Sequence, residues 1–140
     1  MSTSERQVFN QQLISQFRAN RGQIKEGMFA GAPILLLTTR GAKTGTTYTT
    51  PLAYTRDGDR LVVIASKGGA PTNPAWYHNL VANPVVTLEV GEEKFEARAS
   101  VTGGEERDRL YDAQATLMPG FAEYQRKTTR RIPVVIFDRV

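Results

Sequence analysis

The sequence predicts an α+β fold in which about six mostly antiparallel strands curl into a small barrel with helices flanking it. Three observations carry this. Short β-branched and apolar runs are joined by glycine turns of hairpin length. Helical periodicity is confined to the chain's two end regions and one crossover. A sheet of this size, with few residues left for further layers, buries its apolar face by closing on itself.

Residues 4–26 read as a helix. Ser4 and Gln7 have capping-box spacing, and Phe9, Leu13 and Phe17 share one face, while Arg6, Arg18, Arg21 and Lys25 make the remainder basic. That face is expected to pack on the sheet. A surface-lying membrane anchor is the second reading of the same helix. Pro33 to Arg40 is a short apolar strand, Gly41 to Gly45 a turn, and Thr46 to Thr55 one β-branched strand with Pro51 marking an edge or bulge. Asp57-Gly58 turns the chain into a strand from Arg60 to Ser66. A helix follows at about 74–82, with Asn73 as N-cap and Pro74 at the first helical position. Val85–Val90 and Lys94–Val101 form a hairpin around Gly91. Thr102 and Glu105 have capping-box spacing for a helix to about Met118. Pro119-Gly120 breaks it, a short helix carries Phe121 and Tyr124, and Ile132–Phe137 is the last strand.

At 140 residues the chain is expected to be one domain, 1–140, with a helical region at 1–30 and a barrel at 33–138. It has no cysteine, which excludes disulfides, thiolate nucleophiles and cysteine-bound metals. A single histidine, His78, excludes the usual zinc sites, so no metal is expected. No apolar run is long enough to span a membrane and the N-terminus lacks a secretory signal, so the expected location is cytoplasmic, with the helix at 4–26 allowing contact with the membrane's inner face. The net charge of +4 suits an anionic partner without selecting one.

Two glycine loops carry lysines. Gly41-Ala42-Lys43-Thr44-Gly45 is not a Walker A motif, because a strand follows it rather than a helix. It retains backbone N–H groups beside a cation, the chemistry of an anion nest, and Ser66-Lys67-Gly68-Gly69 repeats it. The second loop leads to Trp76 and Tyr77. Basic turns for an anionic tail and aromatic side chains for a flat ring describe a site for a phosphorylated aromatic cofactor. Trp76 and Leu80 also have core spacing, and His78 is expected to be an ordinary helix residue satisfied by a local hydrogen bond. Asp57, Asp59, Glu105 and Glu106 read as turn and cap residues rather than acid–base pairs.

The segments "LLLTTRGAKTG", "TPLAYTRDGDRLVVIASKGGAPTNPAWYHNLVANPVV" and "RIPVVIFDRV" resemble the deazaflavin-dependent nitroreductase family, small enzymes that use reduced coenzyme F420. The resemblance implies a split β-barrel and an F420H2-dependent oxidoreductase that passes hydride to a quinone-like or nitroaromatic acceptor. It implies cofactor contacts at Lys43 and Thr44, at Tyr48, Thr49, Thr50, Pro51 and Leu52, at Ile64, Ala65, Ser66 and Lys67, and at Ala75, Trp76, Tyr77, His78 and Asn79. Ser66 and Tyr124 are the expected catalytic residues, the first hydrogen-bonding ring or substrate and the second supplying a proton. Ala53, Met118 and Phe121 stand where nitroimidazole-activating members carry tyrosines, which points to quinones first. A flavin mononucleotide (FMN) barrel is the alternative enzyme. A nucleic-acid-binding barrel using Arg126, Lys127, Arg130 and Arg131 is the non-enzymatic one, disfavoured because no stacking aromatics accompany those charges.

Overall fold

The computed structural model describes residues 3–140. Helix α1 (Thr3–Ala19) is followed by strands β1 (Ile34–Arg40), β2 (Thr47–Ala53), β3 (Thr55–Asp57) and β4 (Arg60–Ile64). A single 3-10 turn at Lys67–Gly69 leads to α2 (Ala75–Ala82). Then come β5 (Val85–Val90), β6 (Glu93–Val101), α3 (Gly104–Leu117), α4 (Gly120–Arg126) and β7 (Val134–Arg139).

The strands form one antiparallel sheet in the order β2-β1-β5-β6-β7-β4-β3. Its two edge strands, β2 and β3, are consecutive in the chain and separated only by Tyr54. Laid flat, seven strands would hold those edges about 29 Å apart, a gap one linking residue cannot bridge. The sheet therefore curls, giving the split half-barrel. The expected single strand from Thr46 to Thr55 is corrected: it breaks at Tyr54, whose N–H donates to Pro33 O at 3.1 Å, and its halves serve opposite edges. That break makes seven strands where six were expected.

Alternate residues of β1, β4 and β7 face different layers, and both are buried. Leu35, Leu37, Val63, Val135 and Phe137 pack inside the curl with Trp76, Leu80 and Leu88. Val62, Ile64, Val134 and Ile136 pack outward against Leu110 and Tyr111 of α3. Ile34 and Leu36 pack outward against α1. Cover on both faces explains why these strands read as continuous apolar runs rather than alternating ones.

Leu13, Ile14 and Phe17 of α1 are buried against Ile34 and Leu36, with Phe9 and Ala53 at the margin. These are the side chains a lipid-facing helix would have to expose. No described helix is long and apolar enough to cross a membrane. The helix stops at Ala19, not near residue 26. Arg21 and Gly22 are left-handed (φ 56° and 86°), and Gly22 N–H returns to Phe17 O at 2.8 Å. A Cβ on Gly22 would lie 2.4 Å from the Gly91 backbone, so glycine is needed for the helix end to sit on the β5–β6 turn. Arg18 locks the same contact through two bonds to the Glu89 carboxylate, at 3.1 and 2.9 Å.

Three expected ends are also corrected. Pro74, not Asn73, occupies the N-cap position of α2, because Asn73 Oδ1 is taken by Arg130 at 2.5 Å. Gly103, not Thr102, caps α3, because the Thr102 hydroxyl donates to Val134 O at 2.9 Å. Strand β7 starts at Val134, since Ile132 N–H donates to Gln125 Oε1 at 3.1 Å instead of joining the ladder. The capping partner proposed at Ser4 falls inside α1, which already runs from Thr3.

Candidate active site

An open groove of about 1920 Å³ runs between α1, the β1–β2 turn, β2 and the first turns of α2. Lys43, Thr44, Tyr48, Thr49, Thr50, Ala75, Trp76, His78 and Asn79 line it, so the fold gathers the two sequence-distant segments expected to share a site.

The turn at Gly41–Gly45 is built from its own hydrogen bonds. Gly41 N–H donates to Thr46 O at 2.7 Å, Gly45 N–H to Gly41 O at 3.1 Å, and Thr46 N–H to the Thr44 hydroxyl at 3.2 Å. Ala42 N–H donates to Asn79 Oδ1 at 3.1 Å. The N–H groups of Lys43 and Thr44 and the Lys43 ammonium have no partner among the described residues. Two free amides beside a free ammonium form an anion-binding edge on the groove. Trp76 is buried in the core and presents the remainder of its surface to the groove, so it is wall and core at once. Tyr48 is about half exposed (51%). His78 is exposed and stands edge-on to Tyr77, ring centroids 5.7 Å apart; the expected local hydrogen bond is not formed among the described residues.

The other expected residues lie elsewhere. Pro51 pairs with Leu36 in the ladder, and Leu52 and Tyr77 pack on the barrel core. Ile64 and Ala65 are buried. Ser66 is half-buried, and exposed Lys67 donates to the Thr72 hydroxyl at 3.1 Å. Tyr124, on α4, is half-buried and edge-on to Phe121, with centroids 5.4 Å apart. Gly69, whose N–H donates to Ser66 O at 2.9 Å, abuts the Tyr124 backbone: an added Cβ would lie 2.7 Å from Tyr124 O, and φ is 84°. Met118 and Phe121 lie at the α3–α4 junction, whereas Ala53 packs with the α1 cluster.

Sequence reasoning missed two contributors. Gln7, Gln11 and Ser15, an uncharged polar stripe at helical spacing, form the α1 wall of the groove. Arg130, read from sequence as part of a surface cluster, is folded under the 65–73 loop. Of its neighbours in that cluster, Arg131 pairs with Asp108 at 2.9 Å and Arg126 pairs with Glu123. The carboxylates near β3 are likewise structural. Asp57 bridges Arg60 and Arg109, and these guanidiniums lower its pKa to about 2.

The sequence profile described as F420H(2)-dependent quinone reductase matches residues 10–139. An F420H(2)-dependent quinone reductase of Mycobacterium tuberculosis (strain H37Rv) is 41% identical over 126 residues, covering 88% of this chain and 85% of that protein. A solved F420-H2 dependent reductase, FDR-A, superposes with a TM-score of 0.70 at 40% identity, covering 76% of this chain and 94% of that one. A domain-swapped dimer at 35% identity superposes with a TM-score of 0.72, covering 89% and 95%. A profile spanning nearly the whole chain, a relative of similar length and a shared half-barrel agree, and the chain belongs to the F420H(2)-dependent quinone reductase family.

Proposed function

We propose that this chain binds reduced coenzyme F420 along the α1–β2–α2 groove and reduces a quinone. The observation that carries the reading is the free edge formed by Lys43 and Thr44, set on the same groove as the Trp76 wall. An anionic tail fits the first and a flat ring the second, so the donor set matches the cofactor named by the family. When bound, reduced F420 supplies hydride.

The chain's own residues supply position, charge and a proton. Lys43 and the adjoining amides neutralise the tail, and Trp76 and Tyr48 give the ring apolar cover. Asn79 keeps the turn against α2. A quinone that accepts hydride also needs a proton to become the hydroquinone; we assign that proton to the Tyr124 hydroxyl and ring orientation to Ser66. The ring end of the cofactor therefore extends past the groove to the corner at Gly69. The flavin mononucleotide alternative draws no support from the relatives, whose names specify F420.

Titrating the protein with F420 and with flavin mononucleotide, then assaying F420H2-dependent reduction of menadione, tests the reading. Tight F420 binding with quinone turnover is expected. Equal affinity for both cofactors, or no turnover, would overturn it.

A further inference from the structure

Arg130 makes five hydrogen bonds, one for each of its N–H groups. Nε donates to Ala70 O at 3.1 Å. Nη1 donates to Ala65 O at 3.1 Å and to Asn73 Oδ1 at 2.5 Å. Nη2 donates to Ser66 O and Ala70 O, both at 2.9 Å. Its acceptors span both ends of the 65–73 loop, and among the described residues none is a carboxylate. The guanidinium is part-buried with no counter-charge, and desolvation pushes its pKa down, the direction expected of a cation held only by dipoles.

Such a grip dictates which way the loop's peptide groups point. In a trans peptide the C=O and the next N–H are antiparallel. Drawing Ala65 O and Ser66 O inward to Arg130 therefore turns Ser66 N–H and Lys67 N–H outward. Those two amides, and that of Gly68, have no acceptor among the described residues. Ser66 is right-handed (φ −77°, ψ −40°) and Lys67 left-handed (φ 47°), the alternation that aims successive amides at one point. A lysine at that φ is strained and persists only where its surroundings over-determine it.

We propose that Arg130 is a positioning residue for F420 binding: from beneath the 65–73 loop it holds the Ser66 and Lys67 amides outward for an electron-rich oxygen of the cofactor. The inference rests on the F420 reading above. Arg130 does not touch the ligand; it acts through the loop it clamps.

Arg130→Lys keeps the charge and most of the bulk but has three donors in place of the planar five. F420 affinity should fall by about tenfold or more, and melting temperature should fall too, because loop carbonyls lose their donor. Hydrogen exchange of the apoprotein should quicken in a peptide covering 65–73 and stay unchanged in one covering the β1–β2 turn. In Arg130→Ala, millimolar guanidinium should restore part of the F420 affinity and methylammonium should not. A variant that binds F420 as tightly as the parent, or unchanged exchange at 65–73, would overturn this inference alone. A parent that binds no F420 would overturn the functional reading and this inference with it. Equal rescue by both cations would reduce Arg130 to a charge and also overturn the positioning role.

Discussion

The side-chain oxygen of Asn79 accepts Ala42 N–H at 3.1 Å and fastens the basic turn to α2. Its Nδ2 donates to the Thr39 hydroxyl at 3.2 Å, so one buried amide joins both walls of the groove. Replacing Asn79 with alanine strands both partners, Thr39 being itself buried. Asn79→Ala should cost about 1–3 kcal/mol of stability and weaken F420 binding, because the turn loses its anchor. Urea denaturation read beside a cofactor titration checks this. A destabilised variant with unchanged cofactor affinity would show that the turn keeps its shape without α2.

Lys43 presents the opposite pattern. It has no partner among the described residues, so Lys43→Ala should leave thermal stability where it is. Loss of a charge-assisted hydrogen bond worth roughly 1.5–3 kcal/mol should lower F420 affinity by about ten- to a hundredfold. Added salt should narrow the gap between parent and variant, since an exposed cation is screened. An unchanged dissociation constant would return Lys43 to an ordinary turn residue.

These two residues also mark what the sequence could and could not convey. The hairpins, the 75–82 helix and the basic turn were readable because each is fixed by neighbours in the chain: glycine at a turn, proline at a helix start, apolar runs of strand length. The break at Tyr54 was not readable, because nothing local distinguishes one strand from two that serve opposite edges of a curled sheet. Arg130 was misjudged for a related reason: its acceptors lie 57 to 65 residues away, and a run of four cations looks the same whether solvated or folded inward. The caps at Asn73 and Thr102 failed because tertiary acceptors and donors competed for those side chains.

Asp57 gives a pH signature independent of the cofactor. Arg109, then Arg60, stabilise its carboxylate and lower its pKa from 3.8 to about 2. A depressed folded-state pKa means that the contribution is fully present above the unfolded value and is lost as pH falls through the folded one. Stability should therefore decline as pH drops from about 4 towards about 2, with the β3–β4 hairpin losing its tie to α3. Asp57→Asn removes the titrating group, so its stability should fall less steeply over that window. Denaturation midpoints measured across the acid range decide this; parallel slopes would mean that other carboxylates govern the acid limb.

The last prediction concerns Tyr124, whose hydroxyl has no hydrogen-bond partner among the described residues. Phe121 packs edge-on against its ring, and Gly69 abuts its backbone, so α4 and the 66–69 loop hold it from two sides. Phenylalanine fits that packing and removes only the hydroxyl. Tyr124→Phe should thus keep its melting temperature and F420 affinity while quinone turnover slows by about 10²-fold or more, the usual worth of a positioned proton donor. Nitroimidazole reduction should be slow in the parent already, because Met118 and Phe121 at the α3–α4 junction offer no side-chain hydroxyl to orient a nitro ring. Steady-state rates with menadione and a nitroimidazole, taken with the F420 dissociation constant, separate the effects. If Tyr124→Phe turns over quinone as fast as the parent, the proton comes from water or another side chain and Tyr124 is only a packing residue.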